Sequence, residues 1–156
     1  MTMSVLPGIE AKTLTTARLK TRVLFAGPSD GVPVVFVHGN VSTASYWEET
    51  MLRLPDGFLG IAYDQRGYGG ADPLKKIDAT RGTGDLSDDL AALLDKLNLD
   101  SAHVVGHSAG GSVLWRFLMD YPARCRTVTM VAPGSPFGFG GSKGADGAAI
   151  WPDGAG

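Results

Sequence analysis

Short apolar runs alternate with longer amphipathic segments along most of this chain. Two loosely alternating segments between Thr13 and Ala26 predict a pair of short antiparallel strands. Runs that are apolar at consecutive positions predict four buried parallel strands, at 33–37, 58–63, 102–105 and 127–132. Helical spacing marks the segments between these strands, at 44–54, at 85–97 and from 108 to near Pro122. The alternation predicts an α/β fold, with right-handed crossovers that place helices on both faces of a mostly parallel six-stranded sheet.

The clearest helix is predicted at 85–97. Its leucines form one apolar stripe at positions 86, 90, 93, 94 and 97. Three aspartates, Asp85, Asp88 and Asp89, lie near its start, where negative charge suits the helix dipole. We interpret them as a solvated helix start, because their spacing matches no calcium-binding loop.

Composition narrows the class of protein. The chain is 44% hydrophobic and 19% charged, and its formal net charge is −2, so it has no basic surplus for nucleic acid. It contains no apolar run of roughly 18 residues, and its first residues lack the pattern of a secretory signal. Cys125 is the single cysteine, so no internal disulfide forms, and the three histidines belong to other motifs. We therefore expect a cytoplasmic protein without metal or cofactor.

The segment Gly106-His-Ser-Ala-Gly110 carries the strongest chemical signal. A serine hydroxyl is a weak nucleophile until the backbone holds it out of the chain and a base removes its proton. The motif lies between a predicted strand and a predicted helix, where a sharp turn leaves no room for side chains at 106 and 110. The pattern predicts that Ser108 is a nucleophile. The alternative is a glycine-rich turn whose serine caps a helix.

Two backbone amides are candidates for an oxyanion hole. Ala109 follows the serine at the start of a helix, where N–H groups point toward the hydroxyl. The second amide is expected from the loop after strand 33–37, which reads His38-Gly39-Asn40. The backbone N–H of Asn40 is the candidate.

These motifs resemble the α/β-hydrolase superfamily, in particular esterase-like hydrolases with a lid after the sixth strand. The segment Asp64-Gln-Arg-Gly-Tyr-Gly lies between the other two motifs, in the order that the superfamily shows. The resemblance implies a nucleophile at Ser108, an oxyanion hole at Asn40 and Ala109, and a mainly structural role for Asp64 and Arg66.

The resemblance also implies a catalytic acid after a seventh strand and a catalytic histidine after an eighth. We count six strands, and none of His38, His103 and His107 is placed to act as the base of Ser108. We therefore expect residues 1–132 to form the amino-terminal part of a hydrolase core and residues 133–156 to begin a glycine-rich lid. A carboxyl-terminal half, present as a second chain, would complete the site and cover an apolar edge at 127–132, including Val128 and Met130.

The chemistry that we predict is hydrolysis of a carboxylic ester, lactone or thioester through an acyl-enzyme. Serine at the elbow argues against epoxide hydrolases and haloalkane dehalogenases, which resemble this fold but use aspartate there. Carbon–carbon bond hydrolysis and cofactor-free haloperoxidation remain alternatives, as does a protein that binds a small ligand without catalysis. Three aromatic residues of the lid segment, Phe137, Phe139 and Trp151, either line an acyl pocket or pack beneath the lid.

Overall fold

The computed structural model describes residues 5–134, apart from the side chain of Ala79. The predicted lid, with its three aromatic residues, therefore lies almost wholly outside the described residues. The chain forms, in order, β1 (Glu10–Thr15), β2 (Lys20–Ala26), β3 (Val32–Val37), a 3-10 helix (Ala44–Trp47), α1 (Glu48–Met51), β4 (Phe58–Tyr63), a 3-10 helix (Ala79–Arg81), α2 (Gly84–Lys96), β5 (Ala102–His107), α3 (Ala109–Asp120), a 3-10 helix (Pro122–Arg124) and β6 (Cys125–Val131).

The strands form one six-stranded sheet in the order β1-β2-β4-β3-β5-β6. The β1–β2 and β2–β4 pairs are antiparallel, and the remaining pairs are parallel. The predicted α/β architecture is therefore confirmed. Because β3 lies between β4 and β5 and is parallel to both, the loops that follow these three strands lie together at the carboxyl ends of the strands.

The predicted helix at 44–54 is confirmed in part, since the backbone is helical over 44–51 but does not form one α-helix. A 3-10 helix over Ala44–Trp47 leads instead into α1, which has only four residues. The i,i+3 spacing of a 3-10 turn still places Ala44 and Trp47 on one buried face. The apolar pattern therefore marked the buried positions correctly, although the backbone satisfies it with a tighter helix.

Each face of the sheet has its own apolar core. Successive residues of β3 point to opposite faces, so Val35 and Val37 join the core beneath α2 and α3, whereas Val34 and Phe36 join the core beneath α1. All four of these side chains are buried. This explains why β3 is apolar at consecutive positions.

The two edges of the sheet differ. At one edge, β1 exposes most of its residues and carries an ion pair between Lys12 and Glu10 at 2.9 Å. At the other edge, β6 pairs only with β5 within the described part of the chain. Val128 and Met130 are not left uncovered as we predicted, because both pack partly against the core beneath α3. Val131 is 45% exposed.

The aspartates of α2 are not a solvated helix start. Asp85 and Asp89 are buried, and Asp88 lies beside them. Arginines from three separate segments bind this group: Arg18 before β2, Arg66 after β4 and Arg81 before α2. The cluster therefore ties the sheet to α2. Nothing in the sequence pattern pairs these distant residues.

Two further features of the described residues concern membrane-spanning helices and the single cysteine. Over residues 5–134, no helix has the length and hydropathy required to cross a membrane. Cys125 is half-buried, and burial raises the pKa of its thiol.

Candidate active site

Ser108 lies at the sharp turn between β5 and α3. Its backbone angles are φ 54° and ψ −119°, in a region that residues other than glycine rarely adopt. Such strain persists only where the surrounding structure holds it, and it is typical of a nucleophile elbow. The turn therefore has the backbone geometry that the Gly106–Gly110 motif predicts.

The glycines around Ser108 explain how the turn fits into the fold. A Cβ atom at Gly110 would lie 2.3 Å from the carbonyl oxygen of Val37 and 2.6 Å from that of His38. A Cβ atom at Gly106 would lie 2.8 Å from the backbone of Gly110. No side chain fits at either position, so the motif requires glycine at both.

Backbone hydrogen bonds hold the elbow against the end of β6. The N–H of Ser108 donates to the carbonyl of Val131 at 3.0 Å, and the N–H of Gly134 donates to the carbonyl of Ser108 at 3.1 Å. The amide of Ser108 is therefore occupied. The next amide, that of Ala109, begins α3, and no described residue accepts a hydrogen bond from it.

The loop after β3, residues 38–41, lies directly against the elbow. A Cβ atom at Gly39 would lie 3.1 Å from Cβ of Ser108 and 3.2 Å from the carbonyl oxygen of His107. This close approach packs the loop that contains Asn40 against the elbow. As for Ala109, no described residue accepts from the backbone N–H of Asn40. The structure thus brings the three predicted site residues together, and their catalytic roles remain predictions.

His38 braces this loop and, as the sequence predicts, is not placed to act as the base of Ser108. It is fully buried, and its Nε2 accepts the backbone N–H of Gln65 at 3.0 Å. Nδ1 must then carry the proton, which it donates to the carbonyl of Gly39 at 2.7 Å. Burial lowers the pKa of His38, so the neutral ring is the favoured form.

The loop after β4, residues 64–70, supports the same region. The buried carboxylate of Asp64 accepts the backbone N–H of Ala44 and that of Gly70, each at 2.7 Å. Arg66 points the other way and binds Asp89 with two hydrogen bonds, at 2.8 and 2.7 Å. Both residues are therefore structural in this fold.

The remaining histidines are engaged elsewhere. Nδ1 of His103 lies 2.8 Å from the hydroxyl oxygen of Thr127, and the ring of His107 stacks on Tyr46 with centroids 4.9 Å apart. Across residues 5–134, no imidazole forms a hydrogen bond with the Ser108 hydroxyl. In the same part of the chain, no cluster of three His, Cys, Asp or Glu residues is arranged to hold a metal ion.

A family model described as the alpha/beta hydrolase fold matches residues 32–152. The chain belongs to the α/β-hydrolase family. A non-heme chloroperoxidase of Streptomyces lividans is 36% identical over 112 residues, which cover 70% of this chain and 40% of that protein. RutD of Variovorax paradoxus, named as a carbamate hydrolase, is 34% identical over 106 residues, which cover 67% and 39% respectively.

Solved α/β-hydrolase structures agree with the fold. The crystal structure of an epoxide hydrolase from Vigna radiata superposes with a TM-score of 0.71 and is 27% identical, covering 79% of this chain and 39% of that one. The chain thus spans only about two fifths of the length of these relatives. These relatives share the hydrolase fold, whereas the activities for which they are named differ.

A shallow groove of about 550 Å³ adjoins the loop of residues 38–41. Its walls are mostly apolar and come from the end of that loop and the two residues after it, from the 3-10 helix before α1 and from the loop after β4; they are Val41, Ser42, Thr43, Tyr46, Gly67, Tyr68 and Gly69. Tyr46 also stacks on His107, the neighbour of Ser108. Neither Ser108 nor Ala109 lines the groove, and Tyr46 is the lining residue that contacts the strand end before the elbow.

Three features of this α/β-hydrolase site were missed from the sequence. They are the Gln65–His38 hydrogen bonds, the positive φ of 50° at Val41 and the contact of the Tyr68 hydroxyl with Asn40. The sequence does give a signal for the Tyr68–Asn40 contact. Residues 40 and 68 follow adjacent parallel strands, so their loops lie together at the carboxyl ends of those strands. The family resemblance assigns this loop a mainly structural role through Asp64 and Arg66, and gives no role to Tyr68.

Proposed function

We propose that this α/β-hydrolase is a serine hydrolase of carboxylic esters, including lactones and thioesters. The observation that carries the proposal is the geometry of the elbow at Ser108. The backbone of Ser108 is strained, the glycines at 106 and 110 have no room for a side chain, and α3 begins at Ala109. An ester carbonyl attacked at this point would develop negative charge beside the amides of Asn40 and Ala109.

The proposed reaction has two steps. The Ser108 oxygen attacks the carbonyl carbon, its proton passes to a general base, and the alcohol leaves with a proton from that base. Water then attacks the acyl-enzyme, which releases the acid and restores the hydroxyl. The general base and its orienting carboxylate are supplied by polypeptide outside residues 5–134, because no described imidazole reaches Ser108.

The side chain at position 108 distinguishes this chemistry from that of the epoxide hydrolases among the similar proteins. The superfamily resemblance implies that those enzymes use aspartate at the elbow, where a carboxylate opens the epoxide ring. A serine here forms an ordinary ester that water can cleave. The apolar groove beside Val41 and Tyr46 is the proposed site for the uncharged part of the substrate.

The decisive experiment is covalent labelling with a fluorophosphonate, which reacts with activated serines. We expect one label per chain, on the peptide that contains Ser108, and none on the S108A variant. S112A is the matched control, since Ser112 lies one helical turn further along α3. A folded protein that includes the polypeptide supplying the general base, and that is never labelled at Ser108, would exclude the proposal and favour a protein that binds a ligand without catalysis.

The similarity to a non-heme chloroperoxidase favours a second activity at the same serine. If hydrogen peroxide replaces water in the deacylation step, the acyl group leaves as a peracid, which oxidises halide. Halogenation that requires peroxide and a carboxylic acid, and that S108A abolishes, would support this second activity.

A further inference from the structure

We infer that Tyr68 is a positioning residue, which holds the loop of residues 38–41 so that the backbone N–H of Asn40 stays beside Ser108. The inference rests on the proposed function, because it assigns that amide to the oxyanion hole. The observation behind it is a side-chain contact between two loops: the Tyr68 hydroxyl donates to Oδ1 of Asn40.

The orientation of the Asn40 side chain is fixed by two donors. Oδ1 accepts from the Tyr68 hydroxyl and also from the backbone N–H of Val41, at 3.0 Å. A backbone N–H only donates, so the atom that it meets must be the carbonyl oxygen of the amide. The side chain of Asn40 therefore links its own loop to the loop after β4.

The loop has few other contacts at this end. Asn40 is exposed, and Val41 is 90% exposed with a φ of 50°, which is unfavourable for a β-branched residue. The opposite end, at His38, is buried and tied to Gln65 by hydrogen bonds of 3.0 and 2.6 Å. In residues 5–134, Tyr68 supplies the only side-chain hydrogen bond that reaches Asn40 from another segment.

Tyr68 is itself rigidly placed. Its backbone N–H donates to the carbonyl of Gln65 at 2.9 Å, and its own carbonyl accepts from Ala71 at 3.0 Å. Its ring meets the His38 ring edge-on, with centroids 5.3 Å apart. The next residue, Gly69, has a φ of 50°, and a Cβ atom there would lie 2.3 Å from the Asp64 carboxylate. The hydroxyl is therefore presented from a turn that has little freedom.

Loss of this hydroxyl is expected to affect the transition state more than substrate binding. An oxyanion donor acts when negative charge develops on the carbonyl oxygen. If the backbone N–H of Asn40 is held less firmly in place, kcat should therefore fall while KM stays nearly unchanged. A defect confined to folding would reduce the amount of active protein and would not accelerate amide exchange at one loop.

The test uses Y68F in the full polypeptide, with p-nitrophenyl acetate as substrate and hydrogen–deuterium exchange as a second measurement. We expect kcat to fall about three- to tenfold, as for loss of one hydrogen bond, with KM changed less than about twofold. Exchange should accelerate in the peptide that contains residues 39–41. Y121F is the matched control, because the hydroxyl of Tyr121 binds Asp88 at 2.8 Å, remote from the elbow.

A double variant tests whether Tyr68 acts through Asn40. N40A keeps the backbone N–H but removes the acceptor of the tyrosine hydroxyl, so Y68F should have little further effect on kcat in the N40A background. Additive effects, or a Y68F protein with unchanged kcat and unchanged exchange at residues 39–41, would overturn the inference. If the wild-type protein neither hydrolyses the ester nor accepts the fluorophosphonate, the proposed function fails, while the exchange data still decide whether Tyr68 holds the loop.

Discussion

His38 and Gln65 bind each other through two hydrogen bonds. The backbone N–H of Gln65 donates to Nε2 of the His38 ring, and the side-chain NH₂ of Gln65 donates to the backbone carbonyl of His38. The pair joins the loops that follow two adjacent strands, β3 and β4. Because Nε2 must accept, a proton on this atom would break the first bond. The loop beside Ser108 is thus coupled to the protonation state of a buried ring.

This coupling predicts a dependence of stability on pH. Burial lowers the pKa of His38 below its ordinary value of 6.5, so the unfolded chain takes up a proton before the folded chain does. The free energy of unfolding should therefore be highest above about pH 6.5 and should fall as the pH decreases from 6.5 toward the lowered pKa. Urea denaturation between pH 5 and 8 measures this slope.

The matched variants for this measurement are H38Q and H103Q. His103 lies in β5 and is partly exposed, so H103Q is the same substitution at a site outside the loop beside Ser108. H38Q should lower the stability at pH 8 and should abolish most of the slope. An equal slope in wild type and H38Q would show that another group is responsible.

The Arg66–Asp89 pair predicts a large effect on stability. Both side chains are buried, and removal of Arg66 leaves Arg18 as the remaining ion partner of Asp89. We expect R66M to lower the free energy of unfolding by about 2–3 kcal/mol, and the double variant R66M/D89L to recover part of that loss. Chemical denaturation measures both.

An exposed pair provides the control for that experiment. Arg53 and Glu49 lie 3.0 Å apart on the surface, with side chains that are 71% and 73% exposed. R53M should change the stability by less than about 1 kcal/mol. If R53M and R66M had similar effects, burial would not be the cause of the difference that we predict.

The elbow predicts opposite effects for two glycine-to-alanine variants. In G110A the new methyl group would collide with the carbonyl oxygens of Val37 and His38, both of which are backbone atoms. We expect a loss of more than about 2 kcal/mol of stability and loss of labelling at Ser108. In G84A the nearest atom is a side-chain carbon of Arg81 at 3.5 Å, so the first turn of α2 should be unchanged or stabilised by up to about 1 kcal/mol. Thermal unfolding of the two variants compares them directly.

The uncovered apolar surfaces predict an associated polypeptide. On α3, the side chains of Trp115 and Leu118 are more than one third exposed, and Met119 is 75% exposed. Their spacing along the helix places the three side chains on one face of α3. Helix α3 and strand β6 contribute to the same apolar core. We propose that a carboxyl-terminal half of the hydrolase fold, carrying the general base, covers this face.

Size-exclusion chromatography under native conditions tests that proposal. The polypeptide should elute together with a partner of similar or larger mass, and L118E should separate the two. E49Q is a suitable surface control, since Glu49 is exposed on α1. A monomer of the 156-residue chain alone, with full sheet content, would contradict the proposal.

Much of the fold was predictable because local patterns determine it. Consecutive apolar residues in β3 reflect burial on both faces, and the leucine stripe of α2 reflects burial on one face. The elbow was predictable because no side chain fits at Gly106 and Gly110. Contacts between distant segments were not predictable in this way, and the Arg66–Asp89 pair and the Tyr68–Asn40 contact both depend on the order of strands in the sheet.

The charged outer strand β1 has a consequence for how this domain can grow. With Glu10 and Lys12 exposed along it, one border of the sheet offers a poor template for another strand. The opposite border, at β6, carries a single charged residue, Arg126, and the rest of that strand is uncharged. Any strand recruited from elsewhere should therefore pair with β6, one strand away from β5 and its elbow, so that enlargement of the sheet and construction of the catalytic centre would take place on the same side of the domain.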